Sequence, residues 1–118
     1  MKVSEITAES IANYIRLTEV DENIKKELES YLNIAKNYIE NYTGIPEKSD
    51  DEKAETLDSY SDFVIVVYML CQDMYDNRSM YIDGKNINNT IKTILDMHTR
   101  NNLWLMQEII IEKYLYIK

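Results

Sequence analysis

The chain has 118 residues, of which 45% are hydrophobic and 29% charged, and its net charge at pH 7 is −8. This size and composition suit one globular domain with a modest core. The acidic balance argues against a protein that binds DNA through a basic surface, because such binding needs clustered lysine and arginine. With two glycines and one proline, the chain is poor in turn residues, so we expect helices rather than hairpins.

The N-terminus, the single cysteine and the length of the apolar runs suggest where the protein resides. One cysteine allows no internal disulfide, which suits a reducing compartment. Residues Met1–Glu5 show no apolar signal region. The longest apolar run has nine residues, well short of the ~20 needed to cross a bilayer. We therefore expect a cytoplasmic protein without a membrane contact.

Two helices are predicted in the first part of the chain. Thr7 is a suitable N-cap for a helix from Ala8 to about Ile15. Asp21 caps a second helix, which Gly44 and Pro46 close, because glycine suits the left-handed C-terminal position and proline cannot prolong a helix. Apolar residues recur through this second helix at three- and four-residue steps: Ile24, Leu28, Tyr31, Leu32, Ala35, Tyr38, Ile39 and Tyr42.

The connection that follows is strongly acidic. Five acidic residues lie between Glu47 and Glu55, and Asp58 follows just beyond. A run of like charge is most simply a solvated loop. Nothing in the spacing indicates the ligand geometry of a metal ion, so no metal site is expected.

The chain is organised around the apolar run Phe63–Cys71. We predict one helix over residues 59–79, with Ser59 and Asp62 at the spacing of a capping box. β-branched residues also suit a strand, but the apolar pattern continues at helical spacing to Tyr75, which favours a helix. A helix that is apolar almost all round must be covered on several sides, so this one is expected at the centre of a bundle.

The last part of the chain predicts a fourth helix and an extension. Asp83–Gly84 indicates a turn, and a helix is expected from about Asn89 to His98. Residues 103–118 fit a helix or a strand, and helix is favoured. The predicted fold is therefore all-α, a small bundle of four helices around the central one, with domain 1–103 and an extension over 104–118.

The residue types do not indicate an enzyme or a cofactor. Cys71 lies within the apolar run, where a buried cysteine behaves as a small hydrophobe. His98 is the only histidine, so no site with several histidine ligands can form, and its expected place is the last turn of the fourth helix, where a cation is favourable. The chain also has no glycine-rich phosphate loop.

Tyr75 and Arg78 are the candidate site residues. They are one turn apart at the end of the central helix, so they share a face. Tyrosine and arginine often anchor protein interfaces, which suggests a contact between subunits. Alternatively, Arg78 only neutralises the negative end of its own helix. The residue types leave both interpretations open.

Four stretches resemble a known family in their order and spacing. They are residues 3–7 leading into 11–17; residues 35–44, Ala-Lys-Asn-Tyr-Ile-Glu-Asn-Tyr-Thr-Gly; residues 64–78, ending in Tyr75-Asp76-Asn77-Arg78; and residues 93–98, Thr-Ile-Leu-Asp-Met-His. They resemble the small head–tail connector proteins of bacteriophages and prophages, also called adaptor, head-completion or DNA-packaging proteins. The resemblance covers about residues 1–103, so residues 104–118 lie outside it.

The resemblance implies a structural virion protein without catalytic residues or cofactor. Such a protein forms a ring, typically of twelve subunits, that joins the portal of the phage head to the next head-completion or tail protein. The ring prolongs the DNA channel, and DNA passes through it without tight binding. The protein would then be made in the bacterial cytoplasm and end at the head–tail junction of the virion.

The charge of the chain suits such a channel. Residues 1–59 carry a net −7, with 7 basic and 14 acidic groups, and residues 60–118 a net −1, with 6 and 7. An acidic wall repels phosphates and lets DNA slide, whereas lysine and arginine would hold it. The alternative is a small acidic helical regulator that binds a single host-cell protein; the helical, tyrosine-rich and acidic character of the chain suits that function as well. The acidic charge argues against a DNA-binding helix-turn-helix protein.

Overall fold

The computed structural model describes residues 1–99, so the predictions for 103–118 and for the boundary at 103/104 lie outside the described residues. The described part forms four helices and no strand: α1 (Ala8–Ile15), α2 (Glu22–Thr43), α3 (Asp62–Asn77) and α4 (Asn89–Met97). Two short 3-10 turns, Val3–Glu5 and Leu57–Ser59, precede α1 and α3. The predicted all-α class is thereby confirmed.

The predicted ends of α1 and α2 are confirmed by their hydrogen bonds. The Thr7 hydroxyl accepts from the Ser10 N–H at 3.1 Å, and the Asp21 carboxylate accepts from the Ile24 N–H at 2.8 Å. Each bond satisfies an N–H that the start of a helix leaves unpaired. Gly44 ends α2 with a φ of 79°, a left-handed conformation that glycine adopts at little cost.

The start of α3 differs from the prediction. The helix begins at Asp62 rather than Ser59, and the Ser59 hydroxyl accepts from the Thr56 N–H at 3.0 Å within the preceding 3-10 turn. Tyr60 is extended between the two elements and packs its ring edge-on against Phe63. The expected capping box of Ser59 with Asp62 is therefore wrong, because a separate short turn uses the Ser59 side chain.

α3 is the central helix, as predicted, and it packs against α1, α2 and α4. Its fully buried side chains are Phe63, Val66, Val67, Leu70, Cys71 and Met74. The helix is covered on several sides, as predicted, but on one side Ile65 keeps 39% of its surface exposed, and Tyr68 and Met69 are half-buried. Residues 1–99 thus leave a partly apolar face of the central helix open.

α3 and α4 run antiparallel. Ile91, near the start of α4, lines a groove together with Leu70 and Asp73 in the second half of α3. His98, just after α4, contacts Asp62 at the first residue of α3. The described chain therefore ends beside the N-terminal end of the central helix.

Candidate functional site

The candidate interface residues lie at the end of α3. Arg78 terminates the helix in the left-handed conformation, with φ 50° and ψ 42°, and its N–H is bonded to the carbonyls of Met74 and Tyr75. Such a conformation costs a side-chain-bearing residue about 1–2 kcal/mol in general. It turns the chain sharply at Arg78, and the Ser79 N–H closes the turn on the Met74 carbonyl at 3.0 Å.

The Arg78 side chain joins α3 to α2. Its Nη1 donates to both carboxylate oxygens of Glu27 at 2.7 Å, and its Nη2 donates to the Tyr75 hydroxyl at 3.1 Å. The guanidinium carbon lies 4.2 Å from the centre of the Tyr75 ring, a distance suited to a cation–π contact. The Tyr31 hydroxyl donates to Glu27 Oε1 at 2.7 Å. Glu27, Tyr31, Tyr75 and Arg78 are called the Arg78 cluster below.

The cluster pairs the Glu27 carboxylate with the Arg78 guanidinium beside two phenols, those of Tyr31 and Tyr75. Burial, together with the hydrogen bond to Glu27, raises the pKa of Tyr31 to about 12, so this phenol stays protonated at physiological pH. The hydrogen bond to Glu27 likewise raises the pKa of Arg78, which stays charged. Tyr31 and Arg78 therefore both keep their protons at neutral pH.

The structure brings Tyr75 and Arg78 together, and it adds two partners, Glu27 and Tyr31, that no sequence pattern indicated. Glu27 is 51 residues from Arg78 along the chain, so no local spacing connects them. The Arg78 side chain nevertheless keeps 59% of its surface exposed, against 21% for Glu27. Glu27 and the Tyr75 ring thus fix the guanidinium on one side, while its other side remains open to solvent.

His98 contacts an acidic residue and two aromatic rings that its position in the sequence did not indicate. Its Nε2 lies 2.7 Å from Oδ2 of Asp62, and its ring centre lies 4.1 Å from that of Tyr60 and 5.0 Å from that of Phe63. The side chain is largely buried, with 14% of its surface exposed. The contact with Asp62 joins the end of α4 to the start of α3.

Cys71, the one cysteine of the chain, is far from this histidine. It lies nine residues after Asp62 on the same helix, about 13 Å along the axis at 1.5 Å per residue. Burial raises the pKa of the Cys71 thiol to about 12, so the reactive thiolate does not form at neutral pH. The geometry therefore does not provide a cysteine–histidine pair for nucleophilic catalysis.

The acidic connection is held by local contacts. Asp50, Asp51 and Glu52 are exposed, and the Asp51 carboxylate accepts from the Lys53 N–H at 2.9 Å. Glu47 pairs with Lys36 of α2 at 3.2 Å. Among residues 1–99, no group of three histidine, cysteine or acidic side chains is placed to hold a metal ion.

Comparisons with known proteins do not assign the chain to a family. No family model matches the sequence, and neither curated proteins nor solved structures show a significant match. None of the helices in the described range 1–99 is both long and apolar enough to span a bilayer.

Proposed function

We propose that the protein is a subunit of a phage head–tail connector ring, which joins the portal to the tail and extends the DNA channel. The observation that carries the proposal is the resemblance of four stretches, in order, to the connector family. These stretches fall in α1, the second half of α2, α3 and α4, and they contribute to one hydrophobic core through Ile11, Ile39, Val67 and Leu95. The parts that carry the resemblance thus form a single folded unit.

The charge of the described residues supports a channel function. Residues 1–99 carry 10 basic and 19 acidic groups, a net of −9. Asp50, Asp51 and Glu52 add an exposed acidic segment to the surface. A ring of such subunits would present a strongly negative wall, which repels phosphates and lets DNA pass without being held.

The Arg78 cluster is proposed as part of the contact between neighbouring subunits. In a ring, one face of each copy meets a different face of the next copy. An interface anchor gains affinity when its side chain is already held in place, because less freedom is lost on binding. Arg78 meets this condition, since Glu27 and Tyr75 hold its exposed guanidinium before any partner binds.

The test is the assembly state of the purified protein, alone and with its portal. Light scattering gives the mass, and electron microscopy shows the shape of the particles. The proposal predicts rings, on their own or seated on the portal, of about twelve subunits as the resemblance implies. If the chain stays monomeric in the presence of its portal and instead binds one host-cell protein in a fixed ratio, the connector proposal is wrong and the protein is a regulator.

The proposal also implies where the protein is made and where it acts. The chain would be made in the cytoplasm of the bacterial host and would then become part of the virion at the head–tail junction. Its partners would be further copies of itself, the portal and the next head-completion or tail protein. The connector function requires no catalytic step, metal or cofactor.

A further inference from the structure

The open side of α3 forms a continuous surface with α1. Ile65 and Tyr14 are 39% and 37% exposed, and the Tyr14 ring stacks on Tyr68 with 4.9 Å between ring centres. Met69 lies one turn beyond Ile65 and is half-buried. These four residues, Tyr14, Ile65, Tyr68 and Met69, are called the α3 outer face below. A contiguous apolar surface that stays exposed is a candidate binding site.

The α3 outer face leads into a groove with acidic walls. Tyr14 and Met69 also line a groove of about 390 Å³, whose other residues include Asp73, Asp76 and Asp83. The surface is therefore apolar toward the start of α3 and acidic toward its end. It fits a segment that carries apolar residues first and positive charge later.

Residues 103–118 of the same chain have this chemistry. Eleven of the fifteen residues from 103 to 117 are hydrophobic, and Lys113 and Lys118 lie in the second half of the segment. Residues 103–118 carry two basic groups, Lys113 and Lys118, and two acidic groups, Glu108 and Glu112, a net of 0, against −9 for residues 1–99. The positive charge lies in the second half, residues 111–118, where two lysines outnumber Glu112, and this half suits the acidic end of the surface.

The described chain ends close to the α3 outer face, so residues 103–118 of the same chain are able to reach that surface. Asp62, which contacts His98, lies one helical turn before Ile65, so the described chain ends beside the apolar end of the surface. The surface from Ile65 to Asp76 extends about 17 Å along α3, and the sixteen residues 103–118 would reach about 24 Å even if helical. A short tether also gives an effective concentration in the millimolar range, above that of a second copy in dilute solution.

We propose that residues 103–118 dock on the α3 outer face of their own chain, with Lys113 toward the acidic groove. The segment would cover Ile65 and Met69 and complete the burial of the central helix on its fourth side. This inference concerns the single chain and does not depend on the connector function or on ring assembly.

Trp104 provides a direct test, because it is the one tryptophan of the chain and lies in the proposed segment. In the full-length protein, docking predicts blue-shifted Trp104 emission and protection from acrylamide quenching. Ile65→Asp should shift the emission to the red and raise the quenching constant toward that of a free tryptophan analogue. Val20→Asp is the matched control, since Val20 is a similarly exposed apolar residue, 41% exposed, in the connection before α2, and it should change neither quantity.

Three further measurements make the test decisive. Circular dichroism tests whether Ile65→Asp keeps its helices. If the helices are lost, Met69→Asp probes the same surface. A Trp104 that is already fully quenchable in the unmodified protein, or that ignores both surface variants while the helices persist, would overturn the proposal. Protection that appears only as the mass rises with protein concentration would also overturn it, because a second copy would then supply the segment.

Discussion

Val67→Asp is the substitution that most directly tests the central place of α3. Val67 is 0% exposed and lies in the core cluster, so the substitution places a carboxylate among apolar side chains. An unpaired buried charge costs several kcal/mol, either directly or through the protonation that avoids it. Small domains have a total stability of about 5–15 kcal/mol, so this variant is expected to be largely unfolded at neutral pH.

Two controls separate the charge from other effects. Val67→Asn inserts a polar group of similar size without a charge, and it should retain more stability than Val67→Asp. Asn37→Asp adds the same charge at an exposed position of α2, where the expected change is within about 0.5 kcal/mol. The measurement is urea unfolding followed by far-UV circular dichroism. If Val67→Asp unfolds at the same urea concentration as the unmodified protein, Val67 is not in the core and the central position of α3 is wrong.

Three further predictions concern assembly, DNA and pH. Arg78→Ala should abolish rings or portal-bound assemblies with nearly unchanged helix content, and intact Arg78→Ala rings would exclude the interface role. Glu27→Gln removes the ion pair that holds the guanidinium, so it should weaken assembly. Duplex DNA should not bind at 150 mM salt, because the net charge is −8; micromolar binding in a gel shift, weakening steeply with salt, would contradict the channel argument. The pKa of Tyr31 is raised from 10.0 to about 12 in the folded state, so its stabilising contribution is complete below pH 10 and is lost as the pH rises toward 12. Tyr31→Phe should therefore lose less stability than the unmodified protein between pH 10 and 12, and equal losses in pH-dependent unfolding would refute this assignment.

The sequence by itself determined the helices and most of their ends. Thr7, Asp21 and Gly44 act on the backbone within four residues of their own positions, so their effects can be predicted without knowing the fold. The apolar run also predicted the central helix, because a helix with buried Phe63, Val67 and Leu70 must lie inside a bundle. The proximity of Tyr75 and Arg78 followed from their spacing on one turn.

Only the tertiary structure decided which distant side chains meet. The pairs Arg78–Glu27 and His98–Asp62 join residues 51 and 36 positions apart, and their contact depends on how whole helices pack. The same packing decided that Ile65 is partly exposed while Val66 and Val67 are buried, although all three are β-branched and adjacent. Local patterns reflect interactions within a turn or two of helix, whereas contacts between helices depend on the relative positions of elements far apart in the chain.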